Sequence, residues 1–437
     1  MMRKDTLGLI QEAMDFMEEN LKTEIEIPEL SKRAGYSEYH FCQLFHRATG
    51  LSVKRYLVCR RLKHGLYEIF KGAKKQEVAF SYGFDTYAGF YKAFYREYGM
   101  SPSEYLKAYR PSFPYRVNLL QEGKVMISKK IMEKLLAHWG MEQSPVTNVV
   151  YEGSNQVSEN EFQVGEDFVL KVSGLPGGLK RHMEIAGELD KVGLQASVPV
   201  ATKAGELLVQ EGEVYAVLCK RVQGTKMSGR EMFTACDTKA AYRFGTLIGK
   251  LHLALANLDA GLCTENRLHD TVKDWALPTA KKKTNLLQEL VAEYKNRFCD
   301  VYDKLPKQII HRNMNLSYVY LNEEEMVGVT DFELSEYSIR LFDVCYAATG
   351  ILSENFTDND ETMKLWLKLY QGIIKGYDEV VGLTEEEKQV LPYVVFSIQL
   401  ICVAYFADKE QFVELAKVNE KMLIRLMGCK DDLQILS

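Results

Sequence analysis

Hydrophobic positions in the first quarter of the chain recur at helical spacing, and they do so twice. Phe41, Leu44, Phe45 and Ala48 fall on one face of a 3.6-residue helix, which turns Tyr39, Cys42, Gln43 and His46 away from it. Phe90, Ala93 and Phe94 mark the same inward face again, with Ala88, Tyr91, Lys92 and Tyr95 outward. The copy extends further: Phe41, Phe45, Gly50, Ser52 and Tyr56 return as Phe90, Phe94, Gly99, Ser101 and Tyr105, all shifted by 49 positions. Each copy joins a first helical stretch to the second through a glycine turn, Ala34-Gly35-Tyr36-Ser37 and Tyr82-Gly83-Phe84-Asp85. That order is a helix-turn-helix, whose second helix can lie in the DNA major groove. Between the copies, Val53 to Phe70 reads as one long helix. It would set the two second helices near one DNA turn apart, about 34 Å.

After residue 127 the periodicity changes. Glu161 to Val172 reads as two strands joined at Gly165-Glu166-Asp167, followed by a helix with Glu184 and Glu188. Strands are expected around Val198 and Leu207 and from Val214, and a long helix from Ala241 to Leu255. Strands first and helices after predict a small sheet lobe and a larger helical lobe. Ser128 is placed to cap a helix running to Trp139. The most apolar run, Tyr393 to Ala407, follows Pro392, contains Gln399 and is too short for a bilayer, so a buried helix is expected and no membrane partner.

Composition narrows this picture. At 437 residues, 46% hydrophobic and 26% charged, the chain has room for two or three soluble domains. Its N-terminus leads into an acid-rich amphipathic helix and has no signal-peptide pattern, which points to the cytoplasm. Nine scattered cysteines without a C-x-x-C pair or a His cluster read as reduced, mostly buried thiols and suggest no metal-thiolate site. Charge is uneven: Lys32 to Arg116 holds 16 Lys/Arg against 6 Asp/Glu, a balance of +10 in a chain of net −5. Such a local excess suits phosphate neutralisation. Arg60, Arg61 and Lys63 on the long helix are the expected DNA-backbone contacts, and Tyr39, Cys42, Gln43, Ala88, Tyr91 and Lys92 face the bases. Prolines 111 and 114 close this part. The domains expected are 1–112 for DNA binding, 113–126 as linker and 127–437 as a second domain.

Two family resemblances attach to these segments. Ile27-Pro-Glu-Leu-Ser-Lys-Arg-Ala-Gly-Tyr-Ser37, Tyr82 to Asp85, Phe90 to Phe94 and Gly99-Met-Ser-Pro-Ser-Glu-Tyr105 resemble the AraC/XylS transcription regulators over residues 20 to 110. Residues 127 to about 425 resemble the aminoglycoside phosphotransferase/choline kinase family, which has a protein-kinase-like fold and includes homoserine kinase type II. The implied architecture is an all-α tandem helix-turn-helix domain followed by a two-lobed, protein-kinase-like α+β domain.

By the second resemblance, Lys171 matches the nucleotide-phosphate lysine, with Glu184 as its helix partner and Glu188 second, and Lys220 to Val222 the hinge beside an adenine. His311-Arg-Asn-Met-Asn-Leu-Ser-Tyr-Val lies where the family has His-Gly-Asp-Leu-His-x-x-Asn, Asp331 matches the metal-binding Asp, and Asp343 a structural Asp. Several parts depart from the pattern. The catalytic Asp is Asn313, which cannot accept a proton; the metal-holding Asn is Tyr318; and a glycine is replaced by Arg312. The phosphate-side loop Gly153 to Asn160 has one glycine and carries Glu159.

The expected function is a sequence-specific transcription regulator that binds an operator in double-stranded DNA. Its kinase-like domain, a pseudokinase, would sense a small-molecule effector through Lys171, Glu184, Lys220, Val222, His311, Asn313 and Asp331. The alternative is a slow phosphotransferase with a DNA-binding appendage, which would use a nucleotide with Mg and Asp331 as metal ligand. Effector identity, the sign of regulation, and monomer against homodimer stay open.

Overall fold

The computed structural model describes residues 4–49, 51–98, 100–108, 111, 114, 127, 129–151, 156–212, 214–283, 294–323, 325–407 and 412–434. Gly50, Gly99, Ser128, Gly153 to Asn155 and nearly all of the expected linker lie outside the described residues. The chain divides into two units, Met1–Lys180 with Val198–Arg221, and Arg181–Ser197 with Val222–Ser437.

The first unit begins with α1 (Lys4–Glu19), then the tandem repeat: α2 (Ile27–Arg33) and α3 (Glu38–Thr49), the long α4 (Val53–Phe70), α5 (Lys75–Ser81) and α6 (Tyr87–Tyr98), and α7 (Pro102–Ala108). The repeated residues do the same work in both copies. Gly35 and Gly83 turn the chain at φ +72° and +76°, backbone that a side chain disfavours. Ser52 and Ser101 cap the next helices by accepting the amide N–H of Arg55 and Glu104. Phe45 meets Tyr56 edge-on at 5.5 Å, and Phe94 meets Tyr105 edge-on at 5.8 Å. Phe41, Phe45, Phe90 and Phe94 are fully buried in one core with α1 and α4.

After α8 (Lys129–Ala137), five antiparallel strands form one sheet in the order β1-β2-β3-β5-β4: β1 (Val146–Tyr151), β2 (Gln156–Val164), β3 (Phe168–Ser173), β4 (Val209–Glu211) and β5 (Val214–Lys220). The hairpin at Gly165 is as expected. Two details differ: no strand forms at Val198, where Pro199 makes only an isolated bridge to Cys219, and the strand near Leu207 starts at Val209. Gln156 to Asn160, expected in a phosphate loop, belongs to β2. α9 (Pro176–Lys191) follows β3.

The second unit is mainly helical. α10 (Gly229–Ala235) and α11 (Thr238–Leu255) precede two small antiparallel ribbons, β6 (Lys307–Ile310) with β9 (Glu336–Ile339) and β7 (Val319–Asn322) with β8 (Glu325–Val329). Helices Leu341–Asn355, Asp360–Val381, Glu385–Ala407 and Val413–Gly428 complete it. α11 and Asp360–Val381 cross backbone to backbone. A Cβ on Gly245 would lie 1.8 Å from the Ile373 carbonyl oxygen, and one on Gly376 2.1 Å from that of Tyr242. Helix Glu385–Ala407 begins seven residues before Pro392, so it is longer than the sequence suggested. It is long and apolar enough to cross a bilayer, but most of its side chains are buried within the unit, and its fully buried Glu387 pairs with Arg340 at 2.6 Å. The nine cysteines are unbridged; four are buried and five partly so, fewer buried than expected.

Candidate functional site

The outward faces of α3 and α6 are where periodicity placed them. Tyr39 is 75% exposed and accepts a 2.7 Å hydrogen bond from Gln43 Nε2, beside exposed His46. On α6, Ala88 and Lys92 are exposed and the rings of Tyr91 and Tyr95 stack. Amide, cation, methyl and aromatic groups of this kind can contact base edges. Cys42 is different: it is half-buried against the core.

The basic residues of α4 need correction. Arg60 is fully buried, with Nε 2.5 Å and Nη2 2.9 Å from the two oxygens of Glu18, and Nη2 also donates to the Pro114 carbonyl. Tyr56 donates to the same carboxylate at 2.9 Å. Burial works to raise the Glu18 pKa, yet hydrogen bonds from His64, Arg60 and Tyr56, with the Arg60 charge, bring it down to about 2. Arg61 is half-buried and donates to the carbonyls of Leu21 and Thr23, tying α4 to the segment after α1. Arg60 is therefore not placed to meet a phosphate, while Arg61 is partly exposed with two of its nitrogens engaged by backbone. α4 is packed on several sides, so charge alone could not say which residues face out. The missed signal was spacing: Arg60 lies four residues after buried Tyr56, on the same face. Lys63 is partly exposed and keeps its place as a backbone-contact candidate.

In the second unit, the loop after β6 is organised by Asp343. This fully buried carboxylate accepts the amide N–H groups of His311 and Arg312 at 2.7 and 2.8 Å, and lies 3.0 Å from His252 Nε2. Burial favours its neutral form, but those hydrogen bonds and the nearby histidines outweigh it and hold the Asp343 pKa low. Arg312 takes φ +73°, the left-handed backbone that suits the glycine of the resembled pattern. Asp331 also has positive φ, at +76°. The His311 ring lies 2.8 Å from the Thr330 carbonyl, next to Asp331.

Asn313 and Tyr318, which stand where the resembled pattern has its catalytic Asp and metal-holding Asn, are bonded to each other. Asn313 donates through Nδ2 to the Tyr318 hydroxyl at 3.2 Å, while its Oδ1 accepts from the Tyr346 hydroxyl at 3.1 Å. Arg312 Nε pairs with Glu336 at 2.9 Å, and its guanidinium stacks over the Phe342 ring. The second Glu336 oxygen accepts from Asn266 at 2.9 Å.

Lys171 is buried on β3 and forms an ion pair with Glu161, directly opposite on β2. The expected partner Glu184 is an exposed residue of the second unit, and Glu188 pairs with Lys191. The hairpin register could have revealed this: pairing Val164 with Phe168 brings Glu161 opposite Lys171. Lys220 ends β5 exposed, and Val222 is buried in the second unit.

The sequence pattern of the phosphotransferase enzyme family matches residues 153–381, more than half of the chain. The chain belongs to this family. Residues 30–108 match a helix-turn-helix domain family and form an AraC-type DNA-binding domain. Over this part the transcriptional regulator Rob of Salmonella typhimurium is 26% identical across 105 residues, which is 24% of this chain and 36% of Rob. The match therefore spans about a third of that relative's length. The HTH-type transcriptional activator AarP of Providencia stuartii is 26% identical over 99 residues, 22% of this chain and 73% of AarP. In fold, the structure of amicoumacin kinase hAmiN, solved with AMP-PNP, Ca2+ and Ami, superposes with a TM-score of 0.52 at 12% identity, covering 71% of this chain and 95% of that one.

Within this phosphotransferase fold, one of the two positions that the family resemblance assigns to a metal ion is changed. Asp331 keeps a carboxylate, but the second metal-holding position is Tyr318, a neutral phenol already bonded to Asn313. Beside the loop the second unit contains a cavity of about 430 Å³, lined by Arg312, Asn313, Glu336 and mostly apolar side chains from helices Leu341–Asn355 and Glu385–Ala407. Its volume is in the range of small-molecule sites.

Proposed function

We propose that this phosphotransferase-family protein is a one-component transcription regulator. Its AraC-type domain binds duplex DNA through α3 and α6, and its kinase-like domain senses a small molecule in place of transferring phosphate. The observation that carries this reading is the amide of Asn313, held between the hydroxyls of Tyr318 and Tyr346. An amide takes no proton from an acceptor hydroxyl, and loss of a general base costs about 10²- to 10⁴-fold in rate. The hydroxyl from Tyr346 also takes one of the two acceptor sites on the oxygen through which Asn313 would orient a substrate. Effector binding then shifts the population of DNA-competent states.

The slow-phosphotransferase reading rests on one specific feature, the retained Lys171 and Asp331. The two readings separate in one experiment. The full chain with ATP, Mg²⁺ and candidate acceptors is expected to turn over no faster than a Lys171→Ala control, while binding duplex DNA with an affinity that falls steeply with salt. Robust turnover abolished by Lys171→Ala or Asp331→Ala would make the enzyme reading correct.

A further inference from the structure

The hydrogen-bonding capacity of the 430 Å³ cavity is one-sided. Both oxygens of Glu336 are engaged, one by Arg312 and one by Asn266. Both ends of the Asn313 amide are engaged by tyrosines. Arg312 approaches Glu336 most closely through Nε, and among the described residues no hydrogen bond is formed by its two terminal nitrogens. Leaving aside the hydroxyls of Tyr346 and Tyr405, the spare polar group is therefore the cationic donor Arg312. It stands against a wall that includes Leu334, Phe342, Ile398, Ile401 and Phe406. The Cys402 thiol on that wall has its pKa pushed up to about 11 by burial, so it adds no negative charge near neutral pH.

The departures from the family pattern act in the same direction. Arginine in place of glycine adds one positive charge, and Asn313 in place of aspartate removes one negative charge, so the formal charge at this corner rises by two. A polycation would meet here only a carboxylate, Glu336, that already has a partner on each oxygen. Guanidinium groups pair strongly with carboxylates, because their N–H groups match both oxygens.

We infer that the cavity takes an apolar organic acid, with its hydrocarbon or aromatic body against Phe342, Ile398, Ile401 and Phe406 and its carboxylate on the terminal nitrogens of Arg312. This names the effector class for the sensor reading above and rests on that reading for its regulatory meaning, though not for binding.

Probes of one shape and different charge test it: 3-phenylpropanoate, its methyl ester and 3-phenylpropylamine, titrated calorimetrically into the full-length protein. The acid is expected to bind about tenfold or more tightly than either of the others. Arg312→Gln should erase that preference. Ile401→Trp, which fills the cavity, should weaken the acid by a similar factor, with thermal melting used to confirm that each variant is folded. The ligand series needs no variant, so it decides the question even if Arg312→Gln does not fold. Amine or ester binding as tight as the acid, acid binding unchanged in folded Ile401→Trp, or no binding of the acid at millimolar concentration would each overturn the inference. DNA affinity measured with and without the acid keeps the two ideas apart. Acid binding without any change in DNA affinity would sink the sensor role alone. A cationic ligand that alters DNA affinity would sink the acid assignment alone.

Discussion

The exposed faces of α3 and α6 and the loop from His311 to Tyr318 are the candidate functional regions of the two halves of this chain, and they hold their side chains in opposite ways. On the helices, Gln43, His46, Ala88 and Lys92 stand in solvent, with no core contact fixing their identity. In the loop, each altered residue is tied to another: Asn313 to Tyr318 and Tyr346, and Arg312 to Glu336 and Phe342. A reading face can thus change specificity without disturbing the fold. A half-buried, mutually bonded loop changes as a set, because a polar group left alone there loses its partner's hydrogen bond as well as its own. The α4 arginines show the same rule inside the DNA-binding domain, where Arg60 belongs with the buried kind and not the exposed kind.

The largest test of this contrast is Arg60→Ala. It leaves Glu18 buried beside Tyr56 without its cation, so urea denaturation should show a loss of about 3–5 kcal/mol. A loss under 1 kcal/mol would place Arg60 among the surface residues after all.

Acid should act next. The folded pKa of Glu18, about 2, lies below its ordinary value of 4.5, so its stabilisation is fully present above pH 4.5 and is lost as pH falls toward 2. The shift corresponds to about 3 kcal/mol. Hydrogen exchange of α1 and α4 amides should speed up over that window, and Glu18→Gln should flatten the dependence.

Gln43→Ala and Lys92→Ala should leave urea midpoints nearly unchanged. Each should alter DNA sequence preference by about 1–3 kcal/mol at a contacted base. If either variant melts early or weakens all sequences equally, its helix face is not a free reading surface.

Smallest is Tyr346→Phe, which removes the hydrogen bond to Asn313 Oδ1 and should cost about 1 kcal/mol of stability without raising phosphotransfer. Turnover that rises in this variant would mean that Tyr346 alone had been restraining an active Asn313.

The repeat made the first half unusually legible. Five residue types at one offset mark a capping serine, a T-shaped ring pair and a core phenylalanine pair, and all of these are local interactions within a few turns of chain. The hairpin at Gly165 and the helix Val53–Phe70 were legible for the same reason. The roles of Arg60, Arg61 and Lys171 were not. Each depends on a partner that only chain packing brings near: Glu18 lies 42 positions before Arg60, Leu21 40 before Arg61, and Glu161 reaches Lys171 across a strand pair.

By itself, the sequence determined the order of elements, the family of each half, the outward faces of α3 and α6, and an asparagine where the resembled family pattern has its catalytic carboxylate. Periodicity, turn residues and side-chain identity are local properties, and those conclusions need nothing more. The tertiary structure decided which charges are buried, how Asn313 and Tyr318 bond to one another, and that Arg312 lines the cavity beside Glu336. A buried charge or amide is set by whichever groups surround it, and residues as distant as Asn266, Glu336 and Tyr346 meet the loop only once the second unit has folded.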